Sequence, residues 1–172
     1  MSIKREAAYH EAGHAVAAYR SKFHNVIGTI NLADYGAGEI FIFLSKSKLA
    51  TYGKSNDQKL QYDKEVAVDL AVVLCAGLVA ERIAERLGDG ITANTACAEP
   101  DHSLLKAQLK MAGLSQNYDL HETTARCLLE SEWSLVAELA AMLLKKTSVD
   151  AIEVIEFFES RSASGYHPGP IS

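Results

Sequence analysis

The sequence predicts a mainly α-helical domain with a small β-hairpin or sheet. Long stretches repeat apolar residues at helical spacing. Two short runs rich in β-branched and aromatic residues flank a turn-forming segment. The 172 residues suit one domain, and at that length folding buries about 70% of the surface of the unfolded chain.

The first helix is expected over residues 3–23. Ala7, Ala8, Ala15, Ala17 and Ala18 favour it, and Gly13 is its weak point. A mid-helix glycine costs about 1 kcal/mol relative to alanine, so it marks close packing or function. Residues 26–32 and 39–44 read as strands joined by the turn residues 33–38, an antiparallel hairpin. Residues 45–56 are polar and read as a surface loop. A long helical pattern covers 57–87 and stops at Gly88-Asp89-Gly90. After a loop of small residues at 91–99, Pro100 opens a helix over 101–112 that Gly113 ends. A further helical pattern spans 120–146, with a break expected near 131–134. The Trp133, Leu135, Val136 and Leu139 set is read as core. Thr147-x-x-Asp150 resembles a capping box that starts a last helix to about residue 160. No linker or internal repeat divides the chain, so residues 1–161 are expected to form one domain. Residues 162–172 have the composition of a disordered tail.

Composition excludes several classes. Apolar residues are 48% and charged residues 23%, which argues against a disordered or low-complexity body. The net charge is −5, so no nucleic-acid partner and no anionic membrane surface are expected. Cys75, Cys97 and Cys127 are odd in number and far apart, so no disulfide framework is expected. The most apolar stretch, 66–80, is interrupted by Asp69 and too short to cross a bilayer. With no apolar leader pattern at the start, no membrane insertion is expected and a cytoplasmic location follows.

One motif carries chemistry. His10-Glu11-Ala12-Gly13-His14 fits the pattern HExxH inside the first helix. Residues four apart share a helix face, so both imidazoles can reach one Zn²⁺ at about 2.0–2.1 Å. Glu11 lies beside that face, placed to accept a proton from water rather than to bind the ion. The competing reading makes His10 and His14 partly exposed helix histidines and Glu11 a solvated side chain. A catalytic zinc needs a third protein ligand and an open position. Glu81, Glu85, Asp101, His102 and the cysteines are candidates, and spacing does not choose among them. Asp101 opens a helix, where the dipole favours an ionised carboxylate; an ordinary first-turn carboxylate explains it equally well. Glu81 lies on the strongly apolar helix and, if buried, needs a partner such as a ligand histidine or an arginine. His24, His121 and His167 show no constellation.

These residues resemble a known family. Ala8-Tyr9-His10-Glu11-Ala12-Gly13-His14-Ala15-Val16 is similar to the zinc helix in the protease domain of FtsH-type ATP-dependent zinc metalloproteases. The segment from Leu74 to Ile83 resembles that family's Gly-Arg-Ala-Ala-Glu-Glu helix. Asp89-Gly90-Ile91-Thr92 followed by Asp101 resembles its Gly-rich loop ending in Asn-Asp, and Ala112-Gly113-Leu114-Ser115 its Gly-Met-Ser. The likeness runs in order over residues 4–160. It implies a zinc-metallopeptidase-like helical domain with His10, His14 and Asp101 as metal ligands, Glu11 as general base and Glu81 in support. It also implies a polypeptide substrate laid along an edge strand, for which 39–44 is the candidate. The chain departs from the family in carrying no GxxxxGK[ST] pattern, in Pro100 where the family has Asn, and in Leu78 where it has the first Arg.

The expected function is therefore hydrolysis of peptide bonds in flexible or unfolded polypeptides, ATP-independent in itself. A separate unfoldase or ATPase partner is compatible with it, as is a homo-oligomer. The alternative is a non-catalytic module of the same fold, zinc-bearing or metal-free, that binds polypeptide.

Overall fold

A computed structural model describes residues 2–32 and 39–163. Its elements run α1 (Ser2–Arg20), β1 (His24–Asn31), β2 (Glu39–Leu44), α2 (Lys46–Thr51), a 3₁₀ turn (Gln58–Tyr62), α3 (Lys64–Arg86), α4 (Glu99–Met111), α5 (Asp119–Ser131), α6 (Trp133–Lys146), β3 (Ser148–Asp150) and α7 (Ala151–Ala163). The fold is mainly helical with one three-stranded antiparallel sheet ordered β2-β1-β3. No described helix is long and apolar enough to cross a membrane. The expected turn at 33–38 and residues 164–172 of the expected tail lie outside the described residues, whereas 162 and 163 belong to α7.

α1 packs on α3 through small residues. A Cβ built on Gly13 would lie 2.5 Å from the Ala76 carbonyl oxygen and 2.7 Å from the Ala80 Cβ. Ala8, Ala12, Ala15, Ala76 and Ala80 are buried along the same seam. This close approach explains the glycine that helix propensity alone disfavours. The same apolar core continues through Leu105, Leu109, Leu129, Leu135, Leu139, Leu143 and Phe158, all buried. Val136, Leu139 and Leu143 are three and four residues apart, which puts the inward face of α6 on this core.

Three helix boundaries depart from the sequence reading, each for a local reason. The long pattern over 57–87 divides at Asp63, whose carboxylate accepts from the amides of Glu65 and Val66 and so caps α3. The polar stretch 45–56 contains α2, capped by Ser45 and anchored by buried Leu49. The break in 120–146 falls at Glu132, between α5 and α6, inside the expected range of 131–134. Thr147 does not open the last helix. It ends α6 at φ 60°, strand β3 follows, and Asp150 takes the capping role by accepting from the Ile152 amide.

β1 starts two residues earlier than the sequence suggests, at His24, which pairs with Leu44. Val26 and Ile42 pair on the buried face. Ile27 and Phe41 pair on the other, where Phe41 is 50% exposed. The register shifts between Ile27 and Asn31, a bulge that contains Gly28 at φ 76°. β3 covers one side of β1, leaving β2 at the edge of the sheet.

Candidate metal centre

α1 brings His10 and His14 to one face, one turn apart, as HExxH spacing requires. Both rings press on α3 at Gly77. A Cβ there would sit 2.5 Å from His14 Nε2 and 2.6 Å from His10 Nε2, so only glycine leaves room for the pair. Gly77 was not singled out by sequence reasoning; the available signal was a glycine within a strongly apolar helix. The first turn of α4 then delivers Asp101. Its Oδ2 lies 3.1 Å from His10 Nε2 and 3.2 Å from His14 Nε2, and the two Nε2 atoms are 3.1 Å apart. His10, His14 and Asp101 thus form a group that can hold a metal ion.

The outer nitrogens fix the tautomers. His14 Nδ1 lies 2.8 Å from the Val73 carbonyl oxygen, which only accepts, so Nδ1 carries the proton and donates. His10 Nδ1 lies 2.6 Å from Glu81 Oε1 and donates to that carboxylate. With neutral rings, both Nε2 atoms present lone pairs toward Asp101 Oδ2. Three acceptors then face one another with no donor among them, an arrangement that needs a cation or an added proton at its centre. The edges of 3.1–3.2 Å are close to the edge of about 3.4 Å expected for a tetrahedral ion with ligands near 2.1 Å.

The electrostatics express the same demand. Burial pushes the His10 imidazolium down, yet hydrogen bonds to Asp101 and Glu81 and the charge of Glu11 outweigh it, and the pKa rises to about 10. Burial raises the Asp101 carboxyl, but the two imidazoles overcome that and hold it well below the usual carboxylate range. Asp101 is therefore ionised, as a ligand must be.

Glu11, the glutamate of the motif, is buried at 4% exposure on the same helix and contributes negative charge at His10. Glu81 is 1% exposed and fully used. One oxygen orients His10, and the other accepts from the Asn94 amide at 2.7 Å. Its partner is the histidine rather than an arginine. Arg82, the neighbouring residue, instead pairs with Glu122. Among the described residues, Glu85, His102, Cys75, Cys97 and Cys127 are outside the metal-holding group. Burial pushes the Cys75 thiol up to about 12, so it stays protonated.

A groove of about 930 Å³ opens beside the group, between β2 and the α3 face, with His14 and Asp101 in its wall. That volume lies in the upper range for ligand pockets. His24 also lines it. Contrary to the sequence reading, His24 does belong to a constellation: its Nδ1 lies 2.7 Å from Asp69 Oδ2. The signal was Asp69 itself, a carboxylate interrupting an apolar helix, which implies a buried partner. Compared with known proteins, the chain matches no family model and no curated protein.

Proposed function

We propose that the chain is a zinc metallopeptidase of the FtsH-protease type, hydrolysing peptide bonds in flexible or unfolded polypeptides. The observation that carries this reading is the meeting of two imidazole lone pairs and a carboxylate oxygen, beside a buried Glu11 and an open groove. The donor set of two nitrogens and one carboxylate oxygen suits zinc at a catalytic site, which keeps a further position open. When bound, zinc would lower the pKa of a water toward about 7 and take up charge developing on a carbonyl oxygen.

The remaining work falls to the chain. His10, His14 and Asp101 hold the ion. Glu81 fixes the His10 tautomer and ring plane. Glu11 accepts the proton of the attacking water and delivers it to the leaving amine. The edge strand β2 forms one wall of the groove, where an extended substrate can add main-chain hydrogen bonds. A separate unfoldase or ATPase partner is compatible with this reading.

The test compares zinc-loaded wild type with Glu11→Gln on casein, an unfolded protein. The variant should keep one zinc per chain and lose cleavage by at least about a hundredfold. Undiminished turnover in Glu11→Gln would overturn the mechanism. Stoichiometric zinc with no cleavage by wild type on any unfolded substrate would favour the non-catalytic polypeptide-binding module.

A further inference from the structure

The groove contains a second histidine–carboxylate pair that the proposed chemistry does not use. His24 is 3% exposed and lines the groove that also holds His14 and Asp101. Asp69 accepts from its Nδ1 at 2.7 Å and also from the amides of Lys22 (2.9 Å) and Phe23 (3.1 Å). Those contacts hold the Asp69 carboxyl below its ordinary range, although burial pushes it up. An ionised Asp69 makes Nδ1 the donor, and with a neutral ring Nε2 is then an acceptor. Among the described residues, no hydrogen bond is made to His24 Nε2.

The groove around this ring is lined by apolar side chains, together with Asp57, Gln58, Gln61 and Gln108. Leu60, Val66, Leu70 and Leu74 line the groove from the helical side, and Ile42 and Leu44 from β2. Val66, Leu70 and Leu74 are spaced by four, so they stack on one face of α3. Asp69 lies eight residues from Gly77, the residue against the metal-group imidazoles, which is about 12 Å along the helix axis. A strip of apolar side chains along α3, with His24 in the lining of the same groove, therefore runs away from the metal group.

We propose that this part of the groove is a side-chain subsite selecting tyrosine near the scissile bond, with the phenolic hydroxyl donating to His24 Nε2. The inference rests on the peptidase reading for its substrate. The chemistry selects the side chain: the ring covers the leucines and the hydroxyl donates to the ring nitrogen that has no hydrogen bond. Phenylalanine fills the same walls but leaves Nε2 desolvated and unpaired, and an unpaired buried acceptor is where polar discrimination comes from. Lysine can donate too, and Asp57 also lines the groove, so a Lys peptide is the competitor that the test sets against tyrosine. Asp69 acts through His24, as a positioning residue.

The experiment uses peptide pairs that differ only by Tyr or Phe, moved through each position flanking the scissile bond. Cleavage by the zinc-loaded wild type is read as kcat/KM. Binding is read in parallel by fluorescence anisotropy on Glu11→Gln. At one position wild type should prefer Tyr over Phe by about tenfold, mostly through KM. His24→Asn keeps a donor for Asp69 but has nothing in place of Nε2, and should bring the Tyr/Phe ratio close to one in both assays. A ratio near one in wild type at every position, a Lys peptide preferred over Tyr, or an unchanged ratio in His24→Asn would overturn the subsite. If wild type cleaves nothing while Glu11→Gln still prefers Tyr in a His24-dependent way, the subsite stands and the peptidase reading falls.

Discussion

Two histidines of this protein are held in the same way and left with different neighbours. His10 donates from Nδ1 to Glu81 at 2.6 Å, and His24 donates from Nδ1 to Asp69 at 2.7 Å. Both carboxylates come from α3, and in each the second oxygen or the same one accepts a backbone amide as well. The distinction lies at the opposite ring nitrogen. His10 Nε2 meets a second imidazole and Asp101 within 3.1 Å, whereas His24 lines an open groove and no hydrogen bond to its Nε2 is made among the described residues. A buried histidine–carboxylate pair thus sets tautomer and ring plane only. What gathers at the free nitrogen decides between ion binding and a single hydrogen bond.

The comparison breaks most severely at Gly77. Gly77→Ala places a methyl 2.5–2.7 Å from rings that Glu81 and the Val73 carbonyl hold in place, so the rings cannot both stay. Metal affinity should fall by about a hundredfold, while the Asp69–His24 pair is undisturbed. Zinc titration against a competing chelator reads the affinity, and unchanged affinity would mean the imidazoles do not need this contact. A smaller effect is expected for Glu81→Gln. The amide has one acceptor where Glu81 serves two donors, so either His10 or Asn94 goes unsatisfied. The loss should be about ten- to a hundredfold in zinc affinity by the same titration. The smallest effect on the ion is expected for Asp69→Asn. Zinc affinity should stay within about twofold, since this carboxylate is two turns from the metal group. Stability of the metal-free protein should drop by about 1–3 kcal/mol in a denaturant titration, because three donors converge on Asp69. Equal loss of zinc in both carboxylate variants would erase the distinction between the two pairs.

The sequence exposed those parts of the site that are local and hid those that depend on packing. His10, Glu11 and His14 share one helix turn, so their spacing alone implied a common face. Asp101 is 87 residues beyond His14, and only the likeness to a known motif order singled it out. Glu81 was recognisable as a carboxylate needing a partner, but not which one. Gly77 and His24 had no local pattern, because their roles come from what another element places against them. The fold behaves alike. Helices with strong apolar periods were legible, whereas α2 depends on Leu49 reaching a neighbouring cluster and β3 on pairing with β1.

Glu81 touches the His10 ring with one oxygen and the backbone of the loop before α4 with the other. Binding of an ion at this group would therefore be thermodynamically linked to loop order through a single side chain. Linkage is reciprocal: any polypeptide that settles the Asn94 amide onto Glu81 tightens the ion by the same factor by which the ion tightens that polypeptide. Cargo on that loop and cation in the pocket would each act as the other's effector, across a distance of one carboxylate.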